Sequence, residues 1–258
     1  MGYTHYWTHK RAFTNAEWAE VVRDLAAIVK TAQSEGLKVG DTLGDSEVEG
    51  LQIGRGESGA WAGFNGVGED AHETFMIWQK RRPPESWQSA KDRGGDFCKT
   101  ERKAYDVAVT ACLCYLESYY PERFTVSSDG RADEWQAGLA LARRALPRLD
   151  NVLRIPADVT FDSLIARTHF SGGGFALCSL HDGTLCIANH RTLTIAGKFK
   201  SAESVEWVKG WAERVTRERQ RMLPARVDYL DRWAGRKMRT LIQAGESFAY
   251  LAREIQPA

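Results

Sequence analysis

Three of the six histidines in this chain are followed, two positions on, by a hydroxyl: His72-Glu73-Thr74, His169-Phe170-Ser171 and His190-Arg191-Thr192. Residues i and i+2 of a strand project from one face, so each pattern would aim an imidazole and a hydroxyl together. Two such pairs face to face would grip a phosphodiester, one histidine as general base and the other as general acid. On this reading His72 and His190 are catalytic with Glu73 beside them, Thr74 and Thr192 hold phosphate oxygens, and His169 and Ser171 are substitutes. A second chemistry sits in DFCKTERKAYD, residues 96–106. Lys99, Arg102 and Lys103 fall where a helix should start, with Thr100 as its cap and Tyr105 beside it. Free N–H groups at a helix start and added cations make a cradle for phosphate. Paired with Glu101 and Asp106 instead, the same cations are a solvated face.

Other groupings are weaker. His5, Tyr6, His72 and Glu73 would meet if their strands are neighbours, but without a helical H-x-x-x-H spacing no metal is expected. Asp129 in VSSDG is a base or ligand at a strand end, or plain Asp-Gly turn chemistry. Tryptophans 207, 211 and 233 invite a base-stacking reading, yet their helical spacing favours packing. P-loop, dinucleotide-binding and serine-elbow motifs are absent, and no cofactor is expected.

The H-x-[Ser/Thr] copies resemble the two-histidine phosphoesterases, whose sites use two such strands. The resemblance rests on His72, Thr74, His190 and Thr192, and departs where Glu73 and Arg191 replace an apolar middle residue.

The elements that must position these residues read as α+β. A first strand over GYTHYWT (2–8) precedes Thr14, which opens a capping box with Glu17. Trp18, Val21, Val22, Leu25, Ile28 and Val29 then repeat helically over 15–35. AWAGFN and HETFMIW read as strands joined by GVGED, after a short strand near 51–53. Residues 79–96 are a polar excursion, 100–120 a second helix, RFTVSSDG a strand and turn, and ADEWQAGLALARRAL a third helix stopped at Pro147. Residues 1–148 thus form a small mixed or antiparallel sheet with three helices, holding the candidate ligand pocket. After a connector, 160–258 reads as a mildly basic β-hairpin and helical unit. Asp182-Gly183 predicts a two-residue type I′ turn that places Cys178, Leu180, Leu185 and Ile187 on one face, with helices near 201–222, 225–243 and 246–255.

Of the 258 residues 43% are apolar, ample for a core without metal or disulfide staples. The net charge of +1 excludes a uniformly basic nucleic-acid coat, but the charge is uneven. Residues 1–147 hold 18 Lys and Arg against 22 acids; residues 197–258 hold 13 against 8. Five cysteines without a CxxC pair, and an opening without an apolar signal segment, point to reduced thiols in a cytosolic protein. No apolar run is long enough to span a membrane.

MGYTHYW, FNG followed by HETF, FCKT-x-RK-x-YD and VSSDG ahead of a Trp-bearing helix together resemble a family of uncharacterised proteins of tailed phages and prophages. The resemblance covers residues 1–146. It implies an accessory protein in the cytosol of a host bacterium that counters host defence. It also favours a pocket built of His5, His72, Glu73, Lys99, Thr100, Arg102, Lys103, Tyr105, Asp106 and Asp129. The leading expectation is a protein that binds a phosphate-bearing ligand there, a nucleotide-type signal or nucleic acid. A two-histidine phosphodiesterase is the alternative. An inhibitor that docks a host protein through its basic C-terminal helices is the third. The sequence leaves the oligomeric state open.

Overall fold

A computed structural model describes residues 3–56, 59–81, 95–172, 174–190, 192–199, 202–221, 232, 234–236 and 238–239. Most of the excursion expected at 79–96, Arg191, Trp233 and most of the two last expected helices lie outside them. The fold is α+β, in two compact units, residues 1–160 and 161–258.

In the first unit, β1 (Thr4–His9) is the centre of an antiparallel sheet, between β5 (Gly95–Lys99) and β6 (Phe124–Ser128). β2 (Gln52–Gly56), β3 (Gly59–Phe64) and β4 (Phe75–Trp78) form a second antiparallel sheet. Helices α1 (Asn15–Ser34), α2 (Asp106–Tyr119) and α3 (Gln136–Ala145) complete it. The Thr14–Glu17 capping box opens α1 as the sequence predicts, and Trp18, Val21, Leu25, Ile28, Val29 and Ala32 are its buried stripe. Nine consecutive residues of α2, Ala108–Leu116, are buried, as expected of a helix enclosed on all sides. Alternation along β1 turns His5, Trp7 and His9 inward and leaves Tyr6 and Thr8 exposed.

Helices α2 and α3 meet closely at Gly138. A Cβ there would collide with Thr110 Oγ1 and lie 2.8 Å from Thr110 Cβ and 2.9 Å from the Ala111 nitrogen. Gly138→Ala should therefore destabilise, by about 1–3 kcal/mol for overpacking, although helix propensity alone would return roughly 1 kcal/mol. A melting curve reads the sign directly; a more stable variant would mean the contact is loose.

The second unit is a four-stranded antiparallel meander whose strands lie in the sheet in their chain order. Its strands are β7 (Ile165–Gly172), β8 (Phe175–Leu180), β9 (Leu185–Asn189) and β10 (Thr194–Phe199). Helix α4 (Ala157–Asp162) leads in, and α5 (Ala202–Arg221) packs Val208, Trp211, Ala212 and Val215 against Phe170, Leu177, Ile187 and Phe199. Trp211 is core, as its spacing suggests.

Several expectations are corrected. Helix α2 begins six residues after Thr100, because Glu101 and Arg102 are left-handed (φ 51° and 59°), a conformation no α-helix accommodates. His72, Glu73 and Thr74 precede β4 instead of opening it. The expected connector after residue 148 packs into the first core through Leu149, Leu153 and Val159. The single hairpin is the centre of a meander. Its turn holds three residues, since Leu180 and Thr184 close it and Gly183 takes φ 82°. That extra residue shifts the register by one and flips the faces: Cys178 lies opposite Cys186 on one side, and Leu177 opposite Ile187 on the other.

Candidate functional site

The pocket residues expected in the first unit converge, but on one another. His5 is fully buried in β1 and makes two side-chain hydrogen bonds, Nδ1 with Ser128 Oγ (2.8 Å) and Nε2 with Asp106 Oδ1 (2.7 Å). Thr100 donates its hydroxyl to the same Asp106 oxygen (2.5 Å), and the Gly130 N–H donates to Ser128 Oγ (2.8 Å). One proton arrangement satisfies every group: Nε2–H gives to Asp106, and the Ser128 hydroxyl gives to Nδ1. The rings of Tyr3 and Trp135 meet the imidazole edge-on, both at 5.0 Å.

Around this core runs the β5–α2 turn. Two successive left-handed non-glycine residues cost on the order of 1 kcal/mol each or more, and the surroundings hold them. Arg102 lies over the Tyr3 ring (3.9 Å) and donates to Glu134 (2.9 Å). Glu101 takes Lys99 Nζ (3.0 Å) and His72 Nε2 (3.3 Å), and the Lys99 contact holds its carboxyl below the usual range. Lys103 Nζ donates to the Glu69 carbonyl (2.7 Å). Glu73 binds the Lys99 N–H through Oε2 (2.7 Å), while its carbonyl accepts from Tyr105 (2.7 Å) and from Cys98 (3.2 Å). Burial pushes the Tyr105 hydroxyl and the Cys98 thiol above their ordinary values. Thr74 donates to the Thr42 carbonyl (2.5 Å), and Asp129 accepts the Thr4 N–H (3.1 Å). Asn65, from the FNG motif, clamps the His72 main chain through both ends of its amide.

Each cation of the expected cradle is thus already met. Serine, histidine and aspartate in line are also the parts of a nucleophilic triad. Here, however, His5 has no exposed surface. The N–H groups around Ser128 are committed as well, that of Asp129 to Thr4, Gly130 to Ser128 itself and Arg131 to Glu134. None of these three N–H groups is left for an oxyanion, and the hydrogen bonds tie three elements together as a brace.

Of the three histidine–hydroxyl pairs only His169 and Ser171 lie within a strand, the bulged β7. His72 lies before β4, and His190 lies between β9 and β10 in the second unit. His190 Nδ1 stands 3.5 Å from Asp162, and Thr192 bonds Thr194 (2.8 Å).

A different site opens in the second unit. A groove of about 630 Å³ runs between β7 and α5, lined by Arg167, Thr168 and His169 from the strand and by Lys209, Glu213 and Arg217 among the helix residues. Three consecutive strand residues would normally alternate between faces. Register shifts between Ile165 and Arg167, and between Thr168 and Phe170, give β7 two bulges that re-aim them. His169 bonds Ser179 Oγ through Nε2 (2.7 Å), and partial burial, with Arg167 and Lys209 nearby, lowers its pKa. No carboxylate among the described residues pairs with Arg167, Lys209 or Arg217.

Family models, curated proteins and solved structures provide no match to this chain.

Sequence reasoning missed this groove. The signal that was present is the i, i+4, i+8 row Lys209-Glu213-Arg217, which a helix places on one face. The bulges that bring Arg167 and His169 to it have no such signature. Among the described residues no cluster of His, Cys, Asp and Glu has the makings of a metal site, and no helix is long and apolar enough to cross a membrane.

Proposed function

We propose that the protein binds a phosphate-bearing ligand, and that it does so in the groove between β7 and α5. One observation carries this: three cations, Arg167, Lys209 and Arg217, line a concave surface, and among the described residues no carboxylate is ion-paired to them, although Glu213 stands between two of them on α5 and its carbonyl accepts from Arg217 Nε (3.4 Å). Three cations beside one acid carry an excess of positive charge, and an incoming anion relieves their repulsion. The exposed Thr168 adds a hydroxyl. Lys99 and Arg102, by contrast, are ion-paired to Glu101 and Glu134, which supports the second unit over the first as the place for the ligand. In the setting implied by the resemblance to phage proteins, holding such a ligand would withdraw it from host defence.

Calorimetric titration with pyrophosphate, ATP and a cyclic dinucleotide tests the reading. At least one should bind, and Arg167→Glu/Lys209→Glu should weaken it by tenfold or more, since each charge-assisted contact is worth about 1.5–3 kcal/mol. Lys99→Glu should leave the affinity unchanged. Loss at Lys99 and not at the groove would return the site to the first unit.

A further inference from the structure

Resting on that reading, we infer that the groove takes a single nucleic-acid strand, held by its phosphate backbone without regard to base. The argument begins with length. From Lys209 to Arg217 is eight residues of α5, about 12 Å along the helix axis. Stacked in a helix, one strand advances about 3.4 Å along the axis per phosphate, and an extended strand spaces its phosphates further apart, so that stretch meets no more than about three of them. The compact phosphates of one nucleotide would meet only one end of it. The bulged strand β7 supplies Arg167 across from the helix, so cations stand on both walls.

Chemistry of the walls points the same way. A site that selects a nucleotide needs an apolar or aromatic surface for the base. Here Ala212 is the one apolar lining residue among those described, and the one aromatic ring, His169, is tied to Ser179. Bases would face away and charge would be read. Volume sets the strand number: about 630 Å³ between a strand and a helix admits one chain, whereas the convex surface of a duplex would touch only the rim. Glu213 sits in the same row between Lys209 and Arg217 and opposes the binding. It limits affinity, and its removal is a gain-of-function test.

The experiment is fluorescence anisotropy of the full chain with fluorescein-labelled dT12 and U12 across a salt series, with the matching duplex, ATP, pyrophosphate and phosphatidylglycerol vesicles in parallel. Three phosphate contacts give a slope of log K on log salt of about −2 for a single strand. Arg167→Ala, Lys209→Ala and Arg217→Ala should each reduce the slope by about 0.7 and weaken binding about fivefold at 0.1 M salt. Glu213→Gln should strengthen it. All four side chains stand on the groove surface, so unchanged circular dichroism is expected and confirms that the fold is kept. Tighter binding of the duplex, a slope near zero, or indifference to the four substitutions overturns the inference. Pyrophosphate or ATP binding without oligonucleotide binding overturns it too, and leaves the broader ligand reading standing. Capture on vesicles without oligonucleotide binding assigns the groove to a membrane surface. Silence from every anion sinks both readings.

Discussion

Asp106→Ala is expected to destabilise the first unit by about 2–5 kcal/mol, since each buried donor left without an acceptor costs about 1–3 kcal/mol. The carboxylate is 16% exposed and its partner imidazole not at all. Its loss strands two donors at once, His5 Nε2–H and the Thr100 hydroxyl. It also takes a negative charge from the first turn of α2, where the helix favours one. The brace joins β1, the β5–α2 turn and β6, with His5 101 residues from Asp106 and 123 from Ser128, so the damage reaches the whole unit. A fall of roughly 10 °C in its melting transition follows from the usual scaling. Asp106→Asn keeps an oxygen acceptor at the same place and should cost much less. If the alanine variant melts with the wild type, the brace contributes nothing and the two left-handed residues before α2 are held by other contacts.

A second large effect is expected on acidification, through His9. Its imidazole lies between Phe13 and Phe124, ring centroids 5.0 Å from each, and its Nε2 has no hydrogen-bond partner among the described residues. Burial pushes its pKa from 6.5 down to about 4; a hydrogen bond to the Arg11 main chain pulls weakly upward, and the charges of Arg123 and Arg81 add to the depression. Above pH 6.5 folded and unfolded chains both hold the ring neutral, and its contribution is complete. Between pH 6.5 and 4 the unfolded chain binds a proton that the folded one refuses, so stability falls as pH falls. A depression from 6.5 to about 4 corresponds to roughly 3 kcal/mol. The difference in urea midpoint between wild type and His9→Phe should widen over that interval, because phenylalanine fits the aromatic stack and cannot be charged. An imidazole NMR signal titrating near 6.5 would refute the account.

Much of the architecture was legible in particular residues. Thr14 and Glu17 mark the start of α1, and the helical repeat from Trp18 to Val29 marks its buried face. The residues chosen for a pocket, from His5 to Asp129, do meet in space. What their identities did not disclose is direction. Lys99, Arg102 and Lys103 carry the same charge whether they face a ligand or Glu101, Glu134 and the Glu69 carbonyl. The left-handed turn at Glu101 and Arg102, with neither position a glycine, has no local cue and persists because Asp106, Tyr3 and Glu134 hold it from outside.

The second unit shows the same division. Asp182-Gly183 marked a hairpin correctly, but two or three residues in the turn differ by a fraction of a kcal/mol in loop entropy, while choosing between them inverts every side chain that follows. Burial of Leu177 and Ile187 beneath Trp211 makes that choice. The sequence alone determined the periodicities, the caps and the charge imbalance, because these depend on neighbours within a few residues. Tertiary structure decided which charges meet a carboxylate and which line an open groove, because that depends on residues brought together from distant parts of the chain.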